Sequence, residues 1–167
     1  ELLEFRKYEQ GYLLLKVSQV NMGDFLDEIY VSFTELARLR NITFRLEKGE
    51  DDIFVWIDPI QMQKVFYNLI SNAFKYTPEN GTIRISIKKE EDKLSIKVYN
   101  TGKGISKENL PLIFNRYSIL DNIKENSIKG LSSRNGLGLA ICQSMIELLH
   151  GTINVESEVN QYAQFIV

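Results

Sequence analysis

The chain has 167 residues, 44% of them hydrophobic, enough for one real core and part of a second unit. Its formal net charge is −2 with acids and bases interspersed, and no basic patch interleaved with aromatics marks a nucleic-acid binder. The single cysteine, Cys142, lies in an apolar helical pattern, which suits a reducing compartment without disulfides, and no apolar run approaches a membrane span or a signal peptide.

In chain order, Leu2, Phe5 and Tyr8 recur at a spacing of three, the pattern of a helix end, and Gly11 breaks it. With no initial methionine, and a stop at Val167 inside an expected strand, the sequence reads as a piece of something larger. Tyr12 to Val20 alternates like a short strand. Asn21 caps an expected helix running to about Arg40, with Phe25, Leu26, Ile29, Phe33, Leu36 and Ala37 on its buried face. Ile42, Phe44 and Leu46 alternate as a strand, residues 49–52 turn the chain, and Ile53 to Ile57 form another strand.

Asp58 and Pro59 then open a helix as N-cap and first helical residue. Met62, Val65, Phe66, Leu69, Ile70 and Ala73 form its apolar face, and Thr77-Pro78 ends it. Asn68, Asn72 and Lys75 fall on a second stripe, with Tyr76 beside it. Neutral oxygen ligands suit a magnesium ion that carries phosphates, and a lysine meets phosphate charge. Taken alone, the stripe is also that of an ordinary amphipathic helix with a solvated side. Two strands follow, Thr82–Lys88 and Leu94–Tyr99, with Ile83, Ile85, Ile87 and Leu94, Ile96, Val98 inward and a charged turn at Lys89–Lys93.

Asn100-Thr101-Gly102-Lys103-Gly104-Ile105 ends that strand. Glycines at alternate positions there expose backbone and a side-chain oxygen to a flat ligand, although a plain glycine turn has the same pattern. Ser106 is the expected N-cap of a short helix with Leu110, Ile113 and Phe114. From Ser118 to Asn135 the chain is polar and aperiodic, either disordered or a functional lid. Gly136-Leu137-Gly138-Leu139-Ala140 opens a helix to about Leu149, with Leu137, Ile141, Met145 and Leu148 buried and Gly151 as its stop. Glycines at a helix start let phosphates approach free N–H groups at the positive end of the dipole. Thr152–Glu156 and Gln164–Val167 read as final strands.

The order of these pieces is more specific than any one of them. Asn68-x3-Asn72-Ala-Phe-Lys75-Tyr76, then Asn100-Thr-Gly102-Lys-Gly104, then Phe114, then Gly136-Leu-Gly138-Leu and His150-Gly151-Thr-Ile resembles the ATP-binding domain of sensor histidine kinases, in its N, G1, F and G2 boxes. That family belongs to a wider group with DNA gyrase, MutL-type repair ATPases and heat-shock chaperones. The resemblance implies an α+β fold of the Bergerat type: a two-layer α/β sandwich whose mixed sheet of about five strands carries helices on one face. It implies residues 1–11 as the end of a dimerisation helix and junction, and 12–167 as the catalytic domain, with an ATP lid over about 105–135.

Carried over by position, Asn72 is the expected Mg2+ ligand, with Asn68 near the phosphates. Lys75 meets phosphate, and Tyr76 lies against the nucleotide. Asn100 stands where the family usually has the aspartate that accepts from the adenine amino group. Gly102 and Gly104 shape the adenine pocket, Gly136 and Gly138 close over the triphosphate, and Ile105, where the lid starts, and Leu137 are further nucleotide-binding positions. Asn100 keeps an acceptor oxygen but no charge, at a cost of about 1 kcal/mol. Arg134 stands where the second glycine box often begins with another glycine, and is either a phosphate contact or solvated. The usual glycine near the final hairpin is missing around Tyr162-Ala163.

The ATP-hydrolysing relatives carry a glutamate at Asn68 to activate water, and a carboxamide cannot act as a general base. Asn68 and Lys75 are therefore expected to serve transfer of the γ-phosphoryl group to a histidine on a separate dimerisation domain, then on to a response-regulator receiver domain. His150 is the only histidine and reads as a helix-capping residue, so no autophosphorylation is expected of this chain alone. The resemblance implies a homodimeric parent anchored in the bacterial inner membrane, with this domain in the cytoplasm. A degenerate module of the same fold, used for receiver-domain contact, is the other reading.

Overall fold

The computed structural model describes residues 14–49, 52–91, 93–115 and 138–167. The expected N-terminal helix end, Gly11, the aperiodic stretch 118–135 with Arg134, and Gly136 and Leu137 lie outside the described residues.

Strand β1 (Ser18–Asn21) pairs antiparallel with β3 (Phe54–Ile57) in a small separate sheet. The strand expected from Tyr12 is shorter than its alternation suggests. Residues 14–17 do not join it, because the Lys16 amide donates instead to an oxygen of Asp58 at 2.8 Å. Helix α1 (Met22–Leu39) starts at Asn21, whose Oδ1 accepts from the amides of Gly23 and Asp24 at 2.9 and 3.3 Å. It ends as a Schellman turn. Asn41 takes φ 51°, its amide donates to Arg38 O, and the Ile42 amide reaches back to Ala37 O. Met22 joins the buried face, while Phe25 and Leu36 are only half-buried.

The main sheet has the order β2-β4-β5-β7-β6. Strand β2 (Thr43–Glu47) runs parallel to β4 (Thr82–Glu90). The remaining pairs, through β5 (Lys93–Thr101), β6 (Asn154–Glu158) and β7 (Tyr162–Ile166), are antiparallel, so the sheet is mixed. Residues Glu90 and Lys93 pair directly, so the β4–β5 hairpin is tighter than the charged turn read from sequence. Strands β6 and β7 begin two residues away from their expected starts, β6 later and β7 earlier.

Strand side chains alternate between faces. Ile83, Ile85, Ile87, Ile96, Val98, Ala163 and Phe165 are buried on one face. The other is polar and part-exposed: the Arg84 guanidinium lies 5.0 Å over the Tyr99 ring, which stacks on Tyr162 at 5.5 Å. Helices therefore cover one face only, making the two-layer sandwich. Helix α2 (Pro59–Tyr76) buries Met62, Val65, Phe66, Leu69, Ile70, Ala73 and Phe74 at its centre.

Helix α3 (Gly138–Leu148) packs on α2 with Ala140, Cys142, Met145 and Ile146 buried. Leu148, expected inward, is exposed: the apolar stripe of this short helix is wide, and α2 takes the Cys142 side of it. Its end is also rearranged from the expected glycine stop. His150, at φ 61°, holds the left-handed position and donates to Glu147 O, while the Gly151 amide donates to Ile146 O at 2.9 Å. The expected short helix after Ser106 is a single 3₁₀ turn, Leu110–Leu112. The Ser106 carbonyl, not its side chain, collects the amides of Asn109 and Leu110.

Candidate functional site

The polar stripe of α2 lies against the start of α3. Asn68 and Asn72 are one helical turn apart and half-buried, and the Asn72 Nδ2 donates to Asn68 Oδ1 at 3.1 Å. That bond uses the Asn72 amide nitrogen and leaves its carbonyl oxygen as an acceptor outside the pair. Gly138 begins α3 so close by that a Cβ on it would stand 2.3 Å from Asn68 Nδ2. The first amides of α3 have no partners within their own helix and carry the positive end of its dipole. Sequence reasoning took Gly138 as making room for a phosphate. The structure adds a second reason, the packing of two helices through Asn68, which no single-sequence signal reveals.

The other end of the stripe meets the end of β5. Lys75 and Tyr76 are both exposed, and the Lys75 ammonium lies 5.2 Å from the Tyr76 ring centre. A Cβ on Gly102 would fall 2.3 Å from Tyr76 O, so only glycine lets the strand end approach the helix end. Asn100 is 5% exposed and paired with Ile83 on β4 and Ala163 on β7. Its Nδ2 donates to Thr101 O at 3.1 Å. Gly104 takes φ 64°, and a Cβ there would press within 2.2 Å of Glu158 O. The Ile105 amide donates to Ser157 Oγ at 2.8 Å, and that hydroxyl donates to Tyr162 O at 2.6 Å. The glycine turn is thus tied to the β6–β7 hairpin, to whose residues sequence reasoning gave no part in the site. Their part in holding Ile105 was missed, since it rests on a pairing 52 positions apart in the chain.

The structure so brings Asn68, Asn72 and Gly138 together at one end of the stripe, midway along α2, and Tyr76, Gly102 and Asn100 at the other, where α2 ends, with Lys75 beside Tyr76. Gly136 and Leu137 lie outside the described residues. Among the described residues no group of three or more histidine, cysteine, aspartate or glutamate side chains is placed to hold a metal. A divalent cation at this site would rest on a carboxamide oxygen, waters and the oxygens of a phosphate ligand, the donor set that suits magnesium.

The profile of the family described as histidine kinase-, DNA gyrase B-, and HSP90-like ATPase matches residues 57–167. Histidine kinase P4 of Formosa agariphila is 40% identical over 154 residues, 92% of this chain, which spans only 11% of that relative's length. The nucleotide-free catalytic domain of histidine kinase ThkA superposes with a TM-score of 0.74 at 30% identity, covering 92% of this chain and 95% of that one. Histidine kinase ThkA in complex with the response regulator TrrA gives 0.72 at 28% identity, covering 99% of this chain and 47% of that one.

Proposed function

The chain belongs to the histidine kinase-, DNA gyrase B- and HSP90-like ATPase family, and from that premise we propose that residues 12–167 form the Mg-ATP-binding catalytic domain of a sensor histidine kinase. The observation that carries this reading is the Asn68–Asn72 pair facing the start of α3 across Gly138. Asn72 would hold magnesium through its free carbonyl oxygen, and the ion would offset charge on the β- and γ-phosphates. Asn68 and the first amides of α3 would line the triphosphate, with Lys75 meeting phosphate charge and Tyr76 lying against the nucleotide. Asn100, Gly102, Gly104 and Ile105 would hold adenine.

With a carboxamide at Asn68, no side chain of this stripe can take a proton from water. The γ-phosphoryl group therefore passes to an imidazole nitrogen of a histidine on a dimerisation domain. The bond to the β,γ-bridging oxygen breaks, a P–N bond forms, and ADP leaves. The complex of ThkA with TrrA supports a response-regulator receiver domain as the next acceptor. Among the described residues no helix is long and apolar enough to cross a membrane. Membrane anchoring and dimerisation would belong to the parent protein, leaving this domain in the cytoplasm.

Calorimetric titration with a non-hydrolysable ATP analogue, with and without magnesium, tests the proposal. Binding should need magnesium and weaken at least about tenfold in Asn72→Ala, as expected when a metal ligand is lost. Absence of binding at millimolar nucleotide would instead favour a degenerate module that uses the fold for receiver contact.

A further inference from the structure

We propose that Arg40, at the C-terminal end of α1, is a positioning residue for the nucleotide site, because its guanidinium holds the last turn of α2 in place; this inference rests on the reading of that site given above. The need arises from Pro78. A helix carbonyl ordinarily accepts from the amide four residues on, and for Phe74 that residue is Pro78, which has no N–H. Pro78 also drives Thr77 to extended geometry, φ −87° and ψ 125°, so the helix stops at Tyr76. The Ala73 carbonyl is served by the amide and hydroxyl of Thr77, at 3.0 and 2.6 Å. The Phe74 carbonyl has no such local donor.

Arg40 supplies one. One guanidinium nitrogen donates to Phe74 O and the other to Thr77 O at 3.0 Å, spanning the residues on either side of Lys75 and Tyr76. Its charge sits at the negative end of the α2 dipole. Neighbouring contacts tie the same two turns together. The Asn80 amide donates to Asn41 O at 3.1 Å, Asn41 Nδ2 to Glu79 at 2.8 Å, and the Thr43 amide to Gly81 O at 2.9 Å. Arg40 is the only member of this set that reaches back into the helix itself.

Two consequences for the site follow. Lys75 and Tyr76 lie on the turn that Arg40 fastens, so their placement relative to Asn72 depends on it. Tyr76 O is also the atom against which Gly102 is packed, so a shift of this turn moves the wall beside Asn100. Arg40 bonds to main-chain carbonyls and so acts through the backbone at the end of α2. Lysine is a poor substitute, since one ammonium lacks the planar fork that reaches two carbonyls at once.

The test measures the affinity of the full chain for a magnesium-bound non-hydrolysable ATP analogue at low temperature, with the fold of each variant checked by circular dichroism. Arg40→Ala should bind about tenfold more weakly, the scale on which small misplacements of site groups act. Arg40→Lys should fall between it and the parent. Ile87→Val, a core change elsewhere in β4, should lower the melting temperature without moving the affinity. Unchanged affinity in Arg40→Ala, with the parent binding, overturns the positioning role and leaves the nucleotide site intact. Equal weakening in Ile87→Val overturns it as well, since general destabilisation would then suffice. A parent chain that binds no nucleotide overturns both readings. Should Arg40→Ala not fold, Arg40→Lys decides: weakened binding with a native spectrum supports the role, and parental affinity overturns it.

Discussion

Asn100 is nearly the size of aspartate, yet the two cannot make the same bonds. Its Nδ2 donates to Thr101 O inside a buried strand end, which an aspartate cannot do. Asn100→Asp should therefore act in two directions. A charged acceptor for an amino group strengthens the hydrogen bond by about 1 kcal/mol, roughly fivefold in nucleotide affinity by calorimetry. Without ligand, the same change buries a carboxylate beside a carbonyl and should lower the melting temperature. Gly104 is constrained by the backbone alone. At φ 64° and with Glu158 O in the way, Gly104→Ala should cost at least about 1–3 kcal/mol in urea unfolding. Cys142, by contrast, is silent in the site. Burial pushes its thiol up to about 12 from an ordinary 9.0. Because the native value is raised, the stabilisation from a neutral thiol is complete below pH 9 and fades as pH climbs toward 12. At neutral pH Cys142 should react with a thiol reagent only on unfolding; prompt native labelling would contradict its placement.

Helix α2 shows what an element's sequence can and cannot reveal. Its start, its apolar face except Phe74, and its stop were legible, because caps, helical periodicity and the residue before proline are local signals. The second role of Asp58 was not. Asp58 Oδ1 caps the helix through Ile60 and Gln61 at 3.1 Å, while Oδ2 takes the amide of Lys16 from 42 positions upstream. One buried carboxylate thus fixes both the helix start and the approach to β1. Asp58→Ala should cost about 2 kcal/mol in urea unfolding, the sum of a lost cap and a lost bond to a charged acceptor. The Asn68–Asn72–Lys75 stripe was likewise visible as a stripe, but what it faces depends on α3, some 70 residues on in the sequence. The end of α3 misled in a local way. Gly151 is the residue that sequence favours for a left-handed stop, yet His150 takes that conformation, and Gly151 is needed where a side chain would press on Ile146.

The molecule as a whole gathers its candidate site at the helix layer and the β5 end, leaving the opposite sheet face to Arg84, Tyr99 and Tyr162. His150 does not belong to that gathering as an acceptor. It is held in a helix C-cap by its own backbone, and among the described residues no hydrogen bond or ion pair links it to Asn68, Asn72 or Lys75. Since it is the only histidine, the chain should bind Mg-ATP without phosphorylating itself. Incubation with γ-labelled ATP should leave the chain free of acid-labile phosphate. Adding a separate dimerisation domain that carries a phosphoacceptor histidine should place label on that domain, and Asn72→Ala should abolish the transfer. His150→Asn, which keeps a residue tolerant of the left-handed region, should transfer as well as the parent. Label on the chain that disappears with His150→Asn would mean that this helix end visits the γ-phosphate, a motion the Schellman hydrogen bonds of His150 and Gly151 oppose.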